Sequence, residues 1–530
     1  MTSKYSVFFF FLIGFGYSLL TIANSQSEQI KQSQLIDQLV SKTMSSFNVP
    51  GVAIGIIKNG KITHLKGYGQ ANIQTKSQVD QDTLFKIASN SKAFTTAALA
   101  LLVDEGKLKW SDKVTQYLPD FKMKDPWVTK EFNIRDLLTH RSGLGVGAGD
   151  LMLWPEPTQF TRKDVIKNLR YLDSVGSFRD EYAYDNLLYI VAGELVAKIS
   201  GESWERFVET RIFKKLGMSQ CFAGGVDTNK NKNLAAPHVM ISGSLVLLEV
   251  NKINDKINLM AAAGGIKCSA KDLLKWVGMQ LNLGVMATGN VLISEKQIKA
   301  LWKPVTTLPI SYSMKVFDKA SYRSYALGWR VSNYHREHRV SHTGTLGGFM
   351  SQIIMLPERK LGIVILTNQQ SSSARNSLAR GLMNIELNQF SDRSHKLTKD
   401  WVNYYVEANK RRKEKSNNKS AQSNILERII PSNQNNLLGD YNDPWFGEIS
   451  LKDDGQKTVF NSKMSPRMTG DVFYHNKNKW WVKWHDRSFE ADAWIIFSKN
   501  KSGKTEMKMK AISSDADFSF DFQDLYFTKN

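Results

Sequence analysis

Cysteine is scarce in this chain of 530 residues, which contains only Cys221 and Cys268. Neither belongs to a cluster of cysteine and histidine with the spacing of metal ligands, so we expect no metal ion and no other cofactor. A protein exported to an oxidising compartment could join the two thiols in a disulfide. Nothing in the sequence says whether their geometry permits that bond, so the pairing stays open.

Long apolar runs are lacking after the amino-terminal segment, and no later stretch is long and apolar enough to span a bilayer. Residues 1–25 have the pattern of a secretory signal, in which Lys4 precedes an apolar run from Val7 to Ile22 and the small residues of Ala23-Asn-Ser25. An uncleaved membrane anchor is the alternative. We expect cleavage and an exported protein, either periplasmic or secreted.

Nucleic-acid-binding motifs are also lacking, although the chain is basic. It has 71 lysine and arginine residues against 50 aspartate and glutamate residues, a formal net charge of +21. The basic residues are spread along the whole chain, without a helix-turn-helix, zinc-finger or RNA-binding signature. We therefore expect a basic surface and no nucleic-acid partner. Peripheral association with an anionic envelope and the oligomeric state stay open.

A helix that begins with a serine and a lysine is the most informative feature present. The segment Phe85-Lys-Ile-Ala-Ser-Asn-Ser-Lys92 leads from an extended stretch into an apolar helix. Residues three apart on a helix share a face, so the amine of Lys92 can reach the hydroxyl of Ser89. A lysine whose pKa is lowered by burial can activate that hydroxyl as a nucleophile. The same spacing recurs at Ser416 and Ser498, but no apolar helix follows either serine.

The pair Tyr184-x-Asn186 also stands just before an apolar helix. A tyrosine beside a lysine ammonium can have a lowered pKa and shuttle a proton. An asparagine side chain offers a donor and an acceptor to a substrate amide. His140 could be interpreted as a base, but no carboxylate is obviously placed to orient it. We therefore expect His140 to form a hydrogen bond with backbone instead.

A third motif, His342-Thr-Gly344, precedes two predicted apolar strands at Ser351–Leu356 and Gly362–Asn368. Glycine lets backbone approach a ligand closely. A strand edge with free N–H groups facing a serine can stabilise an oxyanion. The backbone beside Gly344 is therefore a candidate oxyanion trap.

The periodicity predicts an α/β domain around these motifs. It indicates a helix at Gln29–Phe47 and a hairpin of Val52–Ile57 and Ile62–Leu65 around an Asn59-Gly60 turn. The segment Tyr325–Val331 has the pattern of a further strand.

The last part of the chain has a different pattern. A short amphipathic helix with Trp401 runs into the basic run Lys410–Lys419, which we interpret as a linker. Short strands separated by glycine and asparagine turns then predict an all-β domain, a small barrel or sandwich. The predicted divisions are a signal peptide at 1–25, an α/β domain at 26–392, a helix and basic linker at 393–436, and the all-β domain at 437–530.

The order of the three motifs resembles the serine β-lactamase and penicillin-binding-protein superfamily, most closely its class C β-lactamase-related branch. The resemblance covers roughly residues 29–392 and implies an antiparallel sheet flanked by helices, with an all-helical insertion. Further matches are Leu137-Leu-Thr-His-Arg-Ser-Gly-Leu144, Gly264-Gly265 and Tyr325-Ala-Leu-Gly-Trp329. Near the other end, Tyr441–Gly447 and Asp517–Phe522 resemble a domain of unknown function often appended to this family. We expect it to pack or to line the substrate edge rather than to do chemistry.

By position, the resemblance makes Ser89 the acylated nucleophile, Lys92 its base partner and Tyr184 the proton shuttle. Asn186 would hold the substrate amide, and the backbone N–H groups of Ser89 and Thr345 would form the oxyanion hole. The resemblance also makes His342, Gly344 and Thr345 substrate-binding residues. These roles are what the resemblance implies for this chain.

His342 departs from the family pattern, because true β-lactamases have a lysine there. A histidine is mostly neutral near pH 7 and does not supply a fixed positive charge for a substrate carboxylate. This change favours uncharged esters or amides over efficient hydrolysis of β-lactams.

The sequence thus predicts an exported serine hydrolase that cleaves a β-lactam, a D-amino-acid peptide or an ester through a Ser89 acyl-enzyme. One alternative is a carboxylesterase or D-aminopeptidase without useful β-lactamase activity. Another is a non-hydrolysing penicillin-binding or scaffold protein. Whether the substrate derives from peptidoglycan depends on pocket loops such as residues 145–180 and 225–258.

Overall fold

The computed structural model describes residues 28–241, 243–248, 259–388, 399–420, 426–455 and 457–530, apart from the side chains of residues 415–420 and 433. The predicted signal segment at 1–25 lies outside these residues. Within the described ranges, every helix is too short or too polar to cross a membrane.

The described helices and strands are numbered in chain order. The helices are α1 (28–47), α2 (Ser91–Asp104), α3 (Pro126–Glu131), α4 (Ile134–Leu137), α5 (Arg162–Asn168), α6 (Leu187–Ser200), α7 (Trp204–Val208), α8 (Lys214–Leu216), α9 (Ala270–Leu281), α10 (Glu295–Trp302), α11 (Tyr312–Val316), α12 (Ser372–Leu387) and α13 (Trp401–Ser420). The strands of the first part are β1 (Gly51–Lys58), β2 (Lys61–Gly69), β3 (Phe85–Lys86), β4 (Cys221–Phe222), β5 (His238–Ile241), β6 (Ser244–Leu247), β7 (Lys267–Cys268), β8 (Thr306–Thr307), β9 (Arg323–Tyr325), β10 (Arg330–Tyr334), β11 (Glu337–Leu346), β12 (Phe349–Leu356) and β13 (Leu361–Thr367). The strands of the last part are β14 (Gly439–Asp443), β15 (Gly447–Asp453), β16 (Thr458–Ser462), β17 (Thr469–Asn476), β18 (Lys479–Trp484), β19 (Ala493–Lys499), β20 (Thr505–Ala511) and β21 (Tyr526–Lys529).

An eight-stranded antiparallel sheet with the order β2-β1-β13-β12-β11-β10-β9-β8 forms the centre of the first domain. The predicted hairpin is confirmed as β1 and β2. Its turn residues Asn59 and Gly60 have φ values of 52° and 74°, as a tight two-residue turn requires. The predicted strands after the third motif are confirmed as β12 and β13.

Both faces of the central sheet are covered by helices. Along β1, Val52, Ile54 and Ile56 belong to one apolar cluster with residues of α1 and α12. The alternate residues Ala53 and Ile57 belong to a second cluster, which includes residues of α2 and α9. Alternation places successive side chains on opposite faces, so a continuous apolar run is buried on both sides.

One strand prediction is wrong in detail. The segment predicted as a single strand at Tyr325–Val331 is the junction of β9 and β10, with a tight turn between them. Ala326 N donates to the carbonyl of Trp329 at 2.8 Å, and Gly328 has a φ of 76°. A β-carbon on Gly328 would lie 3.1 Å from the carbonyl oxygen of Lys92, so the glycine lets this turn pack on the start of α2.

The two cysteines face each other across a small sheet. Cys221 of β4 pairs with Cys268 of β7, and the two residues are joined by a disulfide. The disulfide between Cys221 and Cys268, which the sequence left open, is therefore formed in the structure.

The last eight strands form a closed antiparallel barrel from β14 to β21, in which Tyr441 of β14 pairs with Lys529 of β21. This agrees with the predicted small all-β domain and selects a barrel over a sandwich. The basic run Lys410–Lys419 continues α13, and its interpretation as a linker stays a prediction. Lysine, arginine and glutamate are good helix formers, which explains how a charged run extends the helix.

Candidate active site

Ser89 lies in a single helical turn, Ala88–Asn90, between β3 and α2. Ala88 has a φ of 48°, a left-handed conformation that costs a non-glycine residue about 1–2 kcal/mol. Two hydrogen bonds hold the turn in place. Ser351 Oγ donates to the carbonyl of Ile87 at 2.6 Å, and Asn90 Nδ2 donates to Ser351 Oγ at 2.7 Å. Ser89 is left partly exposed, whereas the residues on either side of it are buried.

Lys92 is fully buried one turn along α2. Its Nζ atom lies 2.7 Å from Asn186 Oδ1, 2.9 Å from the carbonyl oxygen of Ala263 and 3.4 Å from Ser89 Oγ. Burial lowers the pKa of Lys92 to about 7, while the nearby carboxyl of Asp150 opposes this shift. A neutral amine can give its two N–H groups to the two carbonyl acceptors and direct its lone pair toward the serine hydroxyl.

Tyr184 is buried beside this lysine, with Lys92 Nζ 4.8 Å from the centre of its ring. Burial raises the pKa of Tyr184 to about 12, although Arg330 and a hydrogen bond with Ser89 act in the opposite direction. The lowered pKa expected from a neighbouring lysine is therefore wrong in sign, because desolvation of a phenolate outweighs the attraction of the cation. Tyr184 keeps its proton near neutral pH and can donate it.

His140 supports Tyr184 and does not contact Ser89. Its ring lies 4.3 Å from that of Tyr184, centre to centre. The backbone N–H of Asp185 donates to His140 Nδ1 at 3.1 Å. The expected hydrogen bond with backbone is therefore present, and burial holds the pKa of His140 well below its ordinary value.

Asn186 links the lysine to a carboxyl group that sequence reasoning missed. Its Oδ1 accepts from Lys92, and its Nδ2 donates to Asp150 Oδ2 at 2.8 Å. One N–H of the amide remains for a substrate. Asp150 is 1% exposed, and burial raises its pKa to about 8. No motif marked Asp150, because the contact joins positions 36 residues apart.

His342 is placed behind the site and is only 1% exposed. Its Nδ1 lies 2.8 Å from the carbonyl oxygen of Thr343, and its Nε2 lies 2.9 Å from Tyr325 Oη. The carbonyl can only accept, so Nδ1 carries the proton and Nε2 accepts from the tyrosine. Burial, with Arg330 and Lys92 adding to it, holds the pKa of His342 well below its ordinary value. The imidazole is neutral, and both its nitrogens are occupied, so its substrate-binding role stays a prediction.

Gly344 brings β11 against the turn that carries Ser89. A β-carbon on Gly344 would lie 2.3 Å from the carbonyl oxygen of Ile87 and 3.0 Å from Ala88 Cβ. Only glycine permits this approach. The next residue, Thr345, is exposed at the strand end. The oxyanion hole formed by the N–H groups of Ser89 and Thr345 stays a prediction.

Two guanidinium groups that sequence reasoning missed flank the same strand. Arg330 of β10 donates to Thr343 Oγ1 at 3.1 Å and to Tyr182 Oη at 3.4 Å. Arg375 of α12 donates to the carbonyl of Gly344 and to Thr345 Oγ1, each at 3.2 Å. Burial, with Arg330 adding to it, lowers the pKa of Arg375 to about 10.

Neither guanidinium forms an ion pair with a carboxylate of the described residues. Arg330 follows directly after the Tyr325–Trp329 match, but its direction depends on the turn between β9 and β10. Sequence spacing could not show that turn. The site therefore has positive charge available for an anionic group of a substrate.

Family models and known proteins that match this chain indicate its family. The model of the Beta-lactamase family matches residues 36–386, and that of a domain of unknown function matches residues 431–529. The chain is 27% identical over 386 residues to an unguisins hydrolase of Aspergillus campestris, covering 71% of this chain and 69% of the hydrolase. It is 27% identical over 350 residues to Protein flp of Staphylococcus aureus, covering 64% of this chain and 63% of that protein.

Solved structures show the same fold. An octameric penicillin-binding protein homologue from Pyrococcus abyssi matches with a TM-score of 0.59 and 20% identity over 93% of this chain and 99% of the other. A class C beta-lactamase matches with a TM-score of 0.54 and 22% identity over 67% of this chain and 96% of the other. Since the first family model spans well over half of the sequence, this chain belongs to the Beta-lactamase family and is a serine hydrolase.

Proposed function

We propose that this protein is an exported hydrolase that cleaves an amide or ester through an acyl-enzyme on Ser89. The position of Lys92 carries this proposal. Its Nζ is held by two carbonyl acceptors, lies 3.4 Å from Ser89 Oγ and has a pKa lowered to about 7. A buried amine in this state is a base suited to neutral pH.

In the proposed acylation step, Ser89 Oγ attacks the substrate carbonyl carbon while its proton passes to the neutral Lys92 amine. The carbonyl oxygen becomes an oxyanion, which the N–H groups of Ser89 and Thr345 stabilise. Collapse of this intermediate breaks the bond to the leaving group. Tyr184 donates a proton to the leaving group and regains one from the Lys92 ammonium. Water then cleaves the acyl-enzyme by the same steps in reverse, releasing the acid.

Arg330 supports a substrate that bears a carboxylate near the scissile bond. Its guanidinium is bonded to Thr343, the second residue of the third motif, and lacks an ion-pair partner among the described carboxylates. A neutral His342 alone favours uncharged substrates, but Arg330 supplies a permanent charge close by. β-Lactams and D-amino-acid peptides fit this requirement better than simple esters do.

Two alternative functions would use the same site. A carboxylesterase or D-aminopeptidase would use the same groups without useful turnover of β-lactams. A non-hydrolysing penicillin-binding protein would be acylated at Ser89 and stall there. The available N–H of Asn186 can donate to a substrate carbonyl, which amides and esters both present.

Export to the periplasm or the medium is part of the proposal and is supported by the apolar segment before residue 26. A substrate derived from peptidoglycan would be met in that compartment. Amino-terminal sequencing of protein recovered outside the cytoplasm tests export. A mature chain that retains Met1 would contradict cleavage.

A panel of a chromogenic cephalosporin, a short-chain nitrophenyl ester and a D-alanyl anilide tests the reaction. We expect turnover of at least one substrate, lost in Ser89→Ala. Ser498→Ala is the matched control, because this exposed serine has the same spacing to a lysine. Activity that survives in Ser89→Ala would refute the acyl-enzyme. A stable adduct on Ser89 without turnover would select the non-hydrolysing alternative.

A further inference from the structure

One loop of the barrel reaches the candidate catalytic residues. The docking loop, residues 517–521, lies between β20 and β21. Asp521 at its end is fully buried. Its carboxyl accepts the backbone N–H of Gly149 at 2.5 Å and that of Leu151 at 3.1 Å. These contacts anchor the barrel on the first domain at the turn that carries Asp150.

Ser519 joins the docking loop to the hydrogen bonds of the site. Its Oγ donates to Asp150 Oδ2 at 2.9 Å. The same carboxyl oxygen accepts from Asn186, whose amide oxygen accepts from Lys92. A continuous chain of hydrogen bonds therefore connects the barrel to the candidate base. These hydrogen bonds tie the docking loop to the residues around Lys92.

Phe518 directly precedes Ser519 in the docking loop and packs on Tyr184. The two rings meet edge to face, with centres 5.8 Å apart. On its other side the residue presses on Gly147, where a β-carbon would lie 2.5 Å from the carbonyl oxygen of Phe518 and 2.8 Å from its ring. Phe518 is nevertheless 44% exposed. A large aromatic side chain that is fixed in place and half open beside Tyr184 is available to a ligand.

We propose that the barrel completes the active site, and that Phe518 is a specificity-determining residue that contacts an apolar group of the substrate beside the scissile bond. The inference rests on the proposed hydrolase function. It assigns a task to a domain whose family is described as having unknown function. A purely structural role would require only the buried anchors, not an exposed aromatic ring against Tyr184.

Two ester series test the contact in the full-length protein. One compares nitrophenyl phenylacetate with nitrophenyl acetate, and the other compares nitrophenyl acetate with trifluoroethyl acetate. The first series varies the acyl group, and the second varies the leaving group. In one of the two series, we expect Phe518→Ala to lower kcat/KM for the ester with the additional aromatic ring about 3- to 10-fold relative to the ester without it. Phe518→Leu, which keeps apolar surface, should lose less. Dividing the mutant value by the wild-type value for each ester cancels differences in intrinsic reactivity.

Tyr526→Ala is the matched control. This tyrosine belongs to the same barrel, is 41% exposed and contacts Glu506 and Lys508 of β20. It should leave both ratios unchanged. Thermal melting checks that the Phe518→Ala variant is folded. If that folded variant leaves the ratios unchanged in both series, the proposal is overturned.

Selective thiol modification gives a second test. The two native cysteines form the disulfide, so Phe518→Cys introduces the one free thiol of the described chain. Coupling it to a bulky maleimide should slow fluorophosphonate labelling of Ser89 at least about tenfold, whereas coupled Tyr526→Cys should not. Equal labelling of the two coupled variants would contradict a position beside the substrate. Wild-type protein that fails to label at all would instead refute the proposed function.

Discussion

The protonation state of Lys92 should control the rate at which Ser89 is acylated. A lysine with an ordinary pKa of ~10.4 has roughly 0.04% of its amine neutral at pH 7. The buried Lys92, whose pKa is lowered from 10.5 to about 7, has about half. The fold thus raises the available base roughly a thousandfold at neutral pH.

The expected pH profile of kcat/KM follows from this state. The neutral amine is the active form, so the rate rises tenfold per pH unit below the pKa and levels off above it, with a midpoint near pH 7. Tyr184, with a pKa of about 12, should not cause a fall below pH 10. Measuring kcat/KM from pH 5 to pH 10 on the best substrate of the panel tests both the rise and the plateau. A flat profile, or a midpoint above pH 9, would refute Lys92 as the base.

The unfolding free energy should also rise with pH, because the pKa of Lys92 is lowered in the folded state. The folded-state pKa of Lys92 is lower than the unfolded one, so the unfolded chain binds more protons between about pH 7 and pH 10. The cost of burying the ammonium is therefore fully present below pH 7, at most about 5 kcal/mol, and declines as the pH rises through that window.

Lys92→Met removes this cost, so its gain in unfolding free energy over wild type should be greater at pH 6.5 than at pH 9, by about 2–3 kcal/mol. Urea denaturation at the two pH values measures the difference. Lys61→Met, at an exposed lysine, is the control. An advantage that grows with pH would contradict the lowered pKa.

Three further substitutions test the rest of the site. Arg330→Met should lower kcat/KM for a carboxylate-bearing cephalosporin about 10- to 100-fold relative to a neutral nitrophenyl ester, because a hydrogen bond between charged groups contributes about 1.5–3 kcal/mol; equal losses on both substrates would exclude a carboxylate contact. Gly344→Ala should reduce turnover at least about 100-fold, since the new methyl group would lie 2.3 Å from the carbonyl oxygen of Ile87; wild-type turnover would show that β11 need not approach Ser89 so closely. His342→Lys should lower the unfolding free energy by about 2–4 kcal/mol at pH 7 by burying an ammonium near Lys92 and Arg330; an unchanged urea midpoint would contradict the burial of this position.

Sequence patterns predicted those parts of the fold that depend on interactions between residues close together in the chain. The hairpin around Asn59-Gly60 follows from turn chemistry, and the proximity of Ser89 and Lys92 follows from helical spacing. The turn at Gly328 broke a predicted strand, because one glycine in a short apolar run does not distinguish a strand from two strands with a turn between them.

Contacts between distant segments were beyond sequence reasoning. Asp150 meets Ser519 across 369 positions, and no motif records that pair. The direction of the Tyr184 pKa shift depends on how completely the ring is buried, which a neighbouring lysine in the sequence does not reveal. Arg330 lacks an ion-pair partner among the described carboxylates, and this too emerges only from the packed site.

Mapping the residue that becomes acylated decides whether Ser89 is the nucleophile. The full-length protein is incubated with a fluorophosphonate or a penicillin, and the adduct is located by intact-protein and peptide mass spectrometry. We predict a single adduct on Ser89, with none in Ser89→Ala. An adduct on Ser91, Ser416 or Ser498 instead would contradict it.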